Sequence, residues 1–155
     1  MIEEHKEFNV NNLLSFRSSL TQDEIQNEMQ NVEKFINDNN LTIVGPKIST
    51  TYSVTQGIVP TMDIEILIPI DTDFLETESY KFKPELKLIN ALKSVHKGNP
   101  QGFNHTVMEL QKYIQDKKLI TITSLYTVNI SEVKNQDDID KFHAELYVSV
   151  NPNIL

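Results

Sequence analysis

The sequence has no cysteine in 155 residues, so disulfides, zinc ribbons and thiol nucleophiles are excluded from the start. Glycine is nearly as scarce, with four in the chain, and none stands in a Gly-Lys-Thr setting. The pair Gly98 and Gly102 therefore reads as a turn rather than a phosphate cradle. Basic residues are outnumbered, 14 Lys plus Arg against 22 Asp plus Glu, for a net charge of −8. A phosphate backbone is repelled by that balance, and no basic patch overrides it, so nucleic acid is not an expected partner. No apolar run approaches the length of a membrane helix. The start, Met1 to Glu7, is charged and lacks the basic and apolar regions of a secretory signal, which makes cytoplasmic the expected location.

Catalytic and metal patterns are missing as well. His5, His96, His105 and His143 are scattered, with no helical i, i+4 pair beside a carboxylate, so no metal is expected. Ser18, Ser19 and Ser124 lie outside any nucleophile-elbow pattern. No cofactor is implied.

What the sequence does contain is one unit written twice. Lys34-Phe35-Ile36-Asn37-Asp38-Asn39-Asn40-Leu41 recurs as Lys112-Tyr113-Ile114-Gln115-Asp116-Lys117-Lys118-Leu119, an offset of 112 − 34 = 78. Each copy is followed by a strand carrying a glutamate, Glu65 and then Glu145, at 145 − 65 = 80. Two copies at so long a period describe an internal pseudo-dimer rather than a solenoid.

The elements follow from local pattern. A strand is expected over Phe8 to Phe16, and Thr21-Gln22-Asp23-Glu24 is a capping box that starts a helix. Ile25, Met29, Val32 and Ile36, widened by Phe35, form the apolar stripe of that helix, and Asn39-Asn40 suit its left-handed end. Strands then run from Leu41 to Val44 through Pro46 to Val54, and from Met62 to Ile70. Acidic, turn-rich residues 71–84 separate the copies. Leu86, Leu88, Ile89 and Leu92 are assigned to a strand by the repeat, a second helix is expected near 104–117, and Ile120 to Thr123 begins another strand. The expected fold is thus α+β, one domain over 1–155, with strand-helix-strand-strand modules at 7–70 and 85–152. The modules have pseudo-twofold symmetry, and helices cover one face of antiparallel sheet with a groove on the other.

Period-two parity sorts the strand faces. Met62, Ile64, Ile66, Ile68 and Ile70 point one way, and Asp63, Glu65, Leu67 and Pro69 the other. Phe142, Ala144, Leu146, Val148 and Val150 point to the core, and His143, Glu145, Tyr147 and Ser149 to the opposite, open face. Glu65 and Glu145 therefore occupy matched places. They are either polar alternates of half-solvated strands or ligand-binding carboxylates, with Tyr52, Tyr126 and Tyr147 as candidate walls.

The element order resembles the GyrI-like effector-binding domain over roughly Phe8 to Pro152. The residues carrying the likeness are His96-Lys97-Gly98 at a strand end, Tyr113-Ile114 at a helix end, and the Glu-x-x-x-Pro-x of Glu65 to Ile70. That family includes the drug-binding domains of multidrug-responsive transcription activators and free-standing relatives. The resemblance implies a groove between modules that holds flat, hydrophobic or cationic small molecules. It also implies a buried glutamate two residues before the tyrosine of the second module's middle strand. Taking that tyrosine as Tyr126 puts Ser124 at the glutamate position, a departure that weakens both cation binding and the general-base chemistry of hydrolytic relatives. The groove is then expected to be lined by Tyr52, Glu65, Phe103, Ser124, Tyr126, Glu145 and Tyr147, with Phe103 as a lid or as a staple onto the second helix. The expected function is non-enzymatic binding of a hydrophobic or aromatic small molecule, with no DNA-binding segment of its own. The alternatives are an acidic protein-interaction module, as in stand-alone relatives that bind DNA gyrase, and a small-electrophile hydrolase relying on Glu145.

Overall fold

A computed structural model describes residues 1–131 and 135–154, so residues 132–134 of the expected second module lie outside the described residues. The strands are β1 (Ile2–Leu20), β2 (Lys47–Thr55), β3 (Thr61–Pro69), β4 (Lys81–Lys97), β5 (Tyr126–Ser131) and β6 (His143–Ser149). Helix α1 (Gln22–Asp38) follows β1, and α2 (Phe103–Asp116) follows β4. Strand-helix-strand-strand order occurs twice, as the repeat required. Two compact units emerge, Val10–Leu86 and the combination of Met1–Asn9 with Lys87–Leu155. No helix among the described residues is long and apolar enough to cross a membrane.

In the first unit β3 is the middle strand, antiparallel to β1 on one side (Arg17 opposite Glu65) and to β2 on the other (Thr50 opposite Glu65). The second unit repeats this with β6 in the middle, antiparallel to β4 (Lys93 opposite Tyr147) and to β5 (Tyr126 opposite Tyr147). Both middle strands are buried on both faces over most of their length.

Helix α1 begins as its sequence dictates. The Thr21 hydroxyl accepts from the Glu24 backbone N–H at 3.3 Å, and the Glu24 carboxylate accepts from the Thr21 N–H at 3.0 Å. Val32 and Ile36 are buried against Leu14, Phe16, Ile64, Ile66, Ile68 and Ile70, with Ile25, Met29 and Phe35 packed alongside. In the second unit Leu110 of α2 meets Leu92, Leu146, Val148 and Val150. Even-numbered residues of β3 and β6 thus pack on the helices, as parity required.

The two copies share backbone detail that no side-chain pattern revealed. Asn12 and Asn90 both lie at positive φ, 59° and 49°, inside strands, and accept from the N–H of Ile70 and Val150 at 2.9 and 3.2 Å. Asn40 and Lys118 both close their helices at φ 55°. Asparagine visits this left-handed region readily; lysine does so at greater cost. A bulge separates Thr51 from Ser53 in β2, and another separates Asn129 from Ser131 in β5.

Three expectations are corrected. Strand β1 runs well past Phe8–Phe16, and β4 starts inside the expected linker, because residues 3–7 are all exposed and show no apolar alternation to mark a strand. Ile120 to Thr123 is not a strand start. It makes one bridge, Thr121 to Val150, just as Ile43 bridges Ile70 in the first copy, and the strands proper begin at Tyr126 and Lys47. The faces turned away from the helices are buried at Glu65, Leu67, Tyr147 and Ser149 and only half-buried at Asp63, His143 and Glu145, so they are less solvated than expected.

Replacing Thr21 by alanine removes the hydroxyl half of the capping box and is expected to cost about 1 kcal/mol, read as a lower urea midpoint with unchanged slope.

Candidate functional site

A carboxylate on a strand buried from both sides loses its water and must find other partners. Glu65, on the middle strand β3, is 2% exposed. Its Oε2 accepts from the Ser15 hydroxyl at 2.5 Å and meets the Lys83 ammonium at 2.6 Å, while Oε1 accepts from the Tyr52 hydroxyl at 2.5 Å. Sequence and local geometry supply each donor. Ser15 sits on β1 two residues from Arg17, the residue opposite Glu65. Tyr52 is the extra residue at the β2 bulge, a device that re-aims a side chain across its strand partner. Lys83 comes from the start of β4, with its side chain 43% exposed. Beside them the Arg17 guanidinium donates to both oxygens of Asp63 at 3.1 and 2.9 Å and lies 3.9 Å over the Tyr52 ring.

Burial by itself pushes the Glu65 carboxyl up, but Lys83, Ser15 and Tyr52 together outweigh it and hold the group below its ordinary value of 4.5. Glu65 is therefore ionised in the folded protein.

The matched position in the second unit carries a related set. Glu145 of β6 accepts from the Tyr147 hydroxyl at 3.0 Å and meets the Lys93 ammonium at 3.3 Å. Lys93 also lies 5.7 Å from the centre of the Tyr147 ring, whose face stacks on Phe8 at 4.7 Å and 30°. Desolvation works against the Lys93 charge, yet Glu145 and Tyr147 raise its pKa overall. Tyr147 is raised by burial first and by Glu145 second. The two sets differ at the carboxylate, the Glu145 side chain being 20% exposed against 3% for Glu65, whereas Lys93 is less exposed than Lys83 and Tyr147 less than Tyr52.

Of the seven residues expected at the site, Tyr52 and Glu65 meet in the first unit, and Glu145, Tyr147 and Tyr126 gather in the second, Tyr126 as the β-ladder partner of Tyr147. Phe103 does not join them. It opens α2 and packs edge-on against His96 and Phe142 among the helix-side apolar residues, because the first turn of that helix faces the sheet. Ser124 lies outside any strand, two residues before β5. In this module β6 is the middle strand, and Glu145 stands two residues before its Tyr147. His96 is buried rather than at a rim. Its Nε2–H donates to the Asn99 carbonyl at 3.0 Å, which leaves Nδ1 to accept from the Thr106 hydroxyl at 2.8 Å.

Sequence reasoning missed Ser15, Lys83, Lys93 and Phe8. Parity along β1 and β4 would have put Ser15 and Lys93 at corresponding places, 78 residues apart, but nothing local tells which glutamate a lysine reaches.

By sequence the chain matches no protein-family model and no curated protein. Solved structures do match. The C-terminal domain of EcmrR superposes with a TM-score of 0.71 at 17% identity, covering 97% of this chain and 96% of that one. In the EcmrR–DNA complex the TM-score is again 0.71 at 16% identity, and this chain spans 56% of the longer EcmrR chain. SAV2435 bound to tetraphenylphosphonium gives 0.55 at 11% identity over 98% of this chain and 93% of that one. A hydrolase from Listeria innocua gives 0.55 at 14% identity, with 97% and 91% covered. The chain has the GyrI-like fold that its sequence resemblance implied.

Because the folded pKa of Glu65 lies below the unfolded one, its contribution is complete above the unfolded value and disappears as pH falls through the folded value. Glu65→Gln should lower stability at neutral pH by about 2–3 kcal/mol, the scale of lost charged hydrogen bonds. It should also flatten the acid limb of a urea-midpoint against pH curve below the ordinary carboxylate range. A variant whose curve runs parallel to the wild type on acidification contradicts this assignment.

Proposed function

We propose that the chain is a non-enzymatic small-molecule-binding domain whose ligand, a flat aromatic compound carrying a cationic or donor group, binds at Glu145. One observation carries this reading: the middle strand of each module holds a buried or half-buried glutamate engaged by a lysine and a tyrosine hydroxyl, Glu65 with Lys83 and Tyr52, Glu145 with Lys93 and Tyr147. Such an arrangement is a poor device for stability, because desolvating two charges offsets most of their attraction, and apolar residues of similar size serve as well. Retained in a core, it is a candidate for recognition.

The two glutamates differ in availability. Glu65 has three donors on its two oxygens and almost no exposure, so it serves the inside of its own module. Glu145 has the Tyr147 hydroxyl and one lysine at a longer distance, and aromatic rings lie beside it. A cationic ligand there takes the place of the Lys93 ammonium, which swings to water on its flexible stem, and its ring lies against Tyr147 or Phe8. The tetraphenylphosphonium bound by SAV2435, a protein of the same fold, is an aromatic cation with a tetrahedral rather than flat shape, and it supports the cationic, aromatic part of the reading.

The test is calorimetric titration and thermal shift with planar cationic and neutral aromatic compounds on the wild type, Glu145→Gln and Glu65→Gln. A binder raises the midpoint by mass action. Glu145→Gln should weaken cationic binders about ten-fold or more, as expected for losing one charged contact, while sparing neutral ones. If no compound raises the midpoint, or if cationic binders keep their affinity in Glu145→Gln, the proposal fails. Turnover of an ester substrate that Glu145→Gln abolishes would replace it with a hydrolytic role.

A further inference from the structure

The two copies diverge most where the first is filled with aromatic rings and the second is hollow. In the first unit Leu14, Leu41 and Ile70 belong to one apolar cluster, and Phe74 and Phe82 pack on it. Phe74 meets Phe35 edge-on at 5.5 Å and Phe82 edge-on at 5.9 Å. The repeat offsets of 78 and 80 carry Leu14 to Leu92, Leu41 to Leu119 and Ile70 to Val150. Those three residues line a half-open cleft of about 340 Å³ in the second unit. The residues matching the two rings are Glu4, for Phe82, and Ile154, for Phe74. Both line the cleft, but Ile154 is fully exposed and Glu4 is a carboxylate. The second copy keeps the three apolar residues and has no aromatic ring at the positions matching Phe74 and Phe82.

The polar rim then decides what fits. Asn90 and His5 are bonded to each other, Nδ1 to Oδ1 at 3.0 Å, and the Asn90 amide also donates to the Val150 carbonyl at 2.9 Å. Glu4 accepts from the Tyr113 hydroxyl and contributes the one acidic side chain among the lining residues. Among the described residues, neither lysine nor arginine lines the cleft. An aromatic ring on the Leu92, Leu119 and Val150 floor thus leaves a charged substituent facing a carboxylate, and a cationic one is favoured.

We propose that this cleft is a second binding site, distinct from Glu145, for single-ring aromatic ammonium compounds, with the ring in the place that Phe74 and Phe82 cover in the first copy and the ammonium beside Glu4. Its volume lies at the lower end of the range for small-molecule sites, about 300–1,000 Å³, and admits one ring rather than several. Leu92 and Val150 belong to the helix-packed face, whereas Glu145 and Tyr147 lie on the other face of the same strands.

The test uses phenethylamine followed by NMR chemical-shift titration of the whole chain, with phenylacetate as the same ring bearing the opposite charge. Phenethylamine should shift the methyl signals of Leu92, Leu119 and Val150 saturably, and phenylacetate should bind more weakly. Ile154→Phe restores a ring at the position matching Phe74 and is expected to plug the cleft. Glu4→Gln removes the charge and keeps an acceptor for Tyr113. A weakening of about ten-fold in either variant supports the site, on the scale of one charged or aromatic contact. Unchanged affinity in both variants overturns it, as does the absence of saturable shifts at these three residues. Phenethylamine binding abolished by Glu145→Gln assigns the compound to the Glu145 site instead and also overturns it. Retention in Glu145→Gln separates this proposal from the one made for that site.

Discussion

Each module is organised by the desolvation of its middle strand. Strands β3 and β6 have neighbours on both edges and buried side chains on both faces, so polar groups they carry lose water. On β6 the buried His143 Nε2 and Ser149 Oγ have no hydrogen-bond partner among the described residues. Glu65 shows how far the surroundings go to replace the lost water. Ser15 of β1, bulged Tyr52 of β2 and Lys83 of β4 all converge on two oxygens. The bulge that carries Tyr52, the choice of serine on β1 and the lysine stem from β4 are each intelligible once the carboxylate is given.

Duplication then acts as an internal control. Backbone features that match across the copies, such as Asn12 with Asn90 and the paired bulges, are requirements of the module. Features that differ are not fixed by the module. Ser15 corresponds to Lys93, so the lysine that serves Glu145 comes from the module's own flanking strand β4, whereas Glu65 takes its lysine from a residue with no such counterpart near Glu145. Tyr52 corresponds to Ile130, so the tyrosine hydroxyl on Glu145 comes from Tyr147 of the same strand instead. Aromatic residues at 74 and 82 pack on the apolar cluster of the first module, and their counterparts at 154 and 4 line a cleft in the second.

The legible part of this protein was its periodicity. Thr21 with Glu24 started α1, the Ile25 to Ile36 stripe set the face of that helix, and parity placed Ile64, Ile66, Ile68 and Ile70, and Leu146, Val148 and Val150, on the helix-packed side where the structure has them. These succeeded because capping and alternation are local: the partners lie within a few residues, and the rotation per residue is fixed by backbone geometry. Strand ends failed where residues 3–7 and 81–83 had no apolar alternation to report.

Pairing order is not local, and the functional reading depended on it. Alternation showed that Glu65 and Glu145 share a face but not whether that face meets solvent, and strand order along the chain suggested Tyr126, on β5, for the middle of its module. Hydrogen-bond register put β6 there, with Glu145 two residues before its Tyr147, and the fold brought Lys83 and Lys93 to the carboxylates. The sequence by itself determined two modules, their helices and the parity of their strands. Only the tertiary structure decided which strand is central, which carboxylate is buried and which lysine reaches it, because those outcomes rest on contacts between residues far apart in the chain.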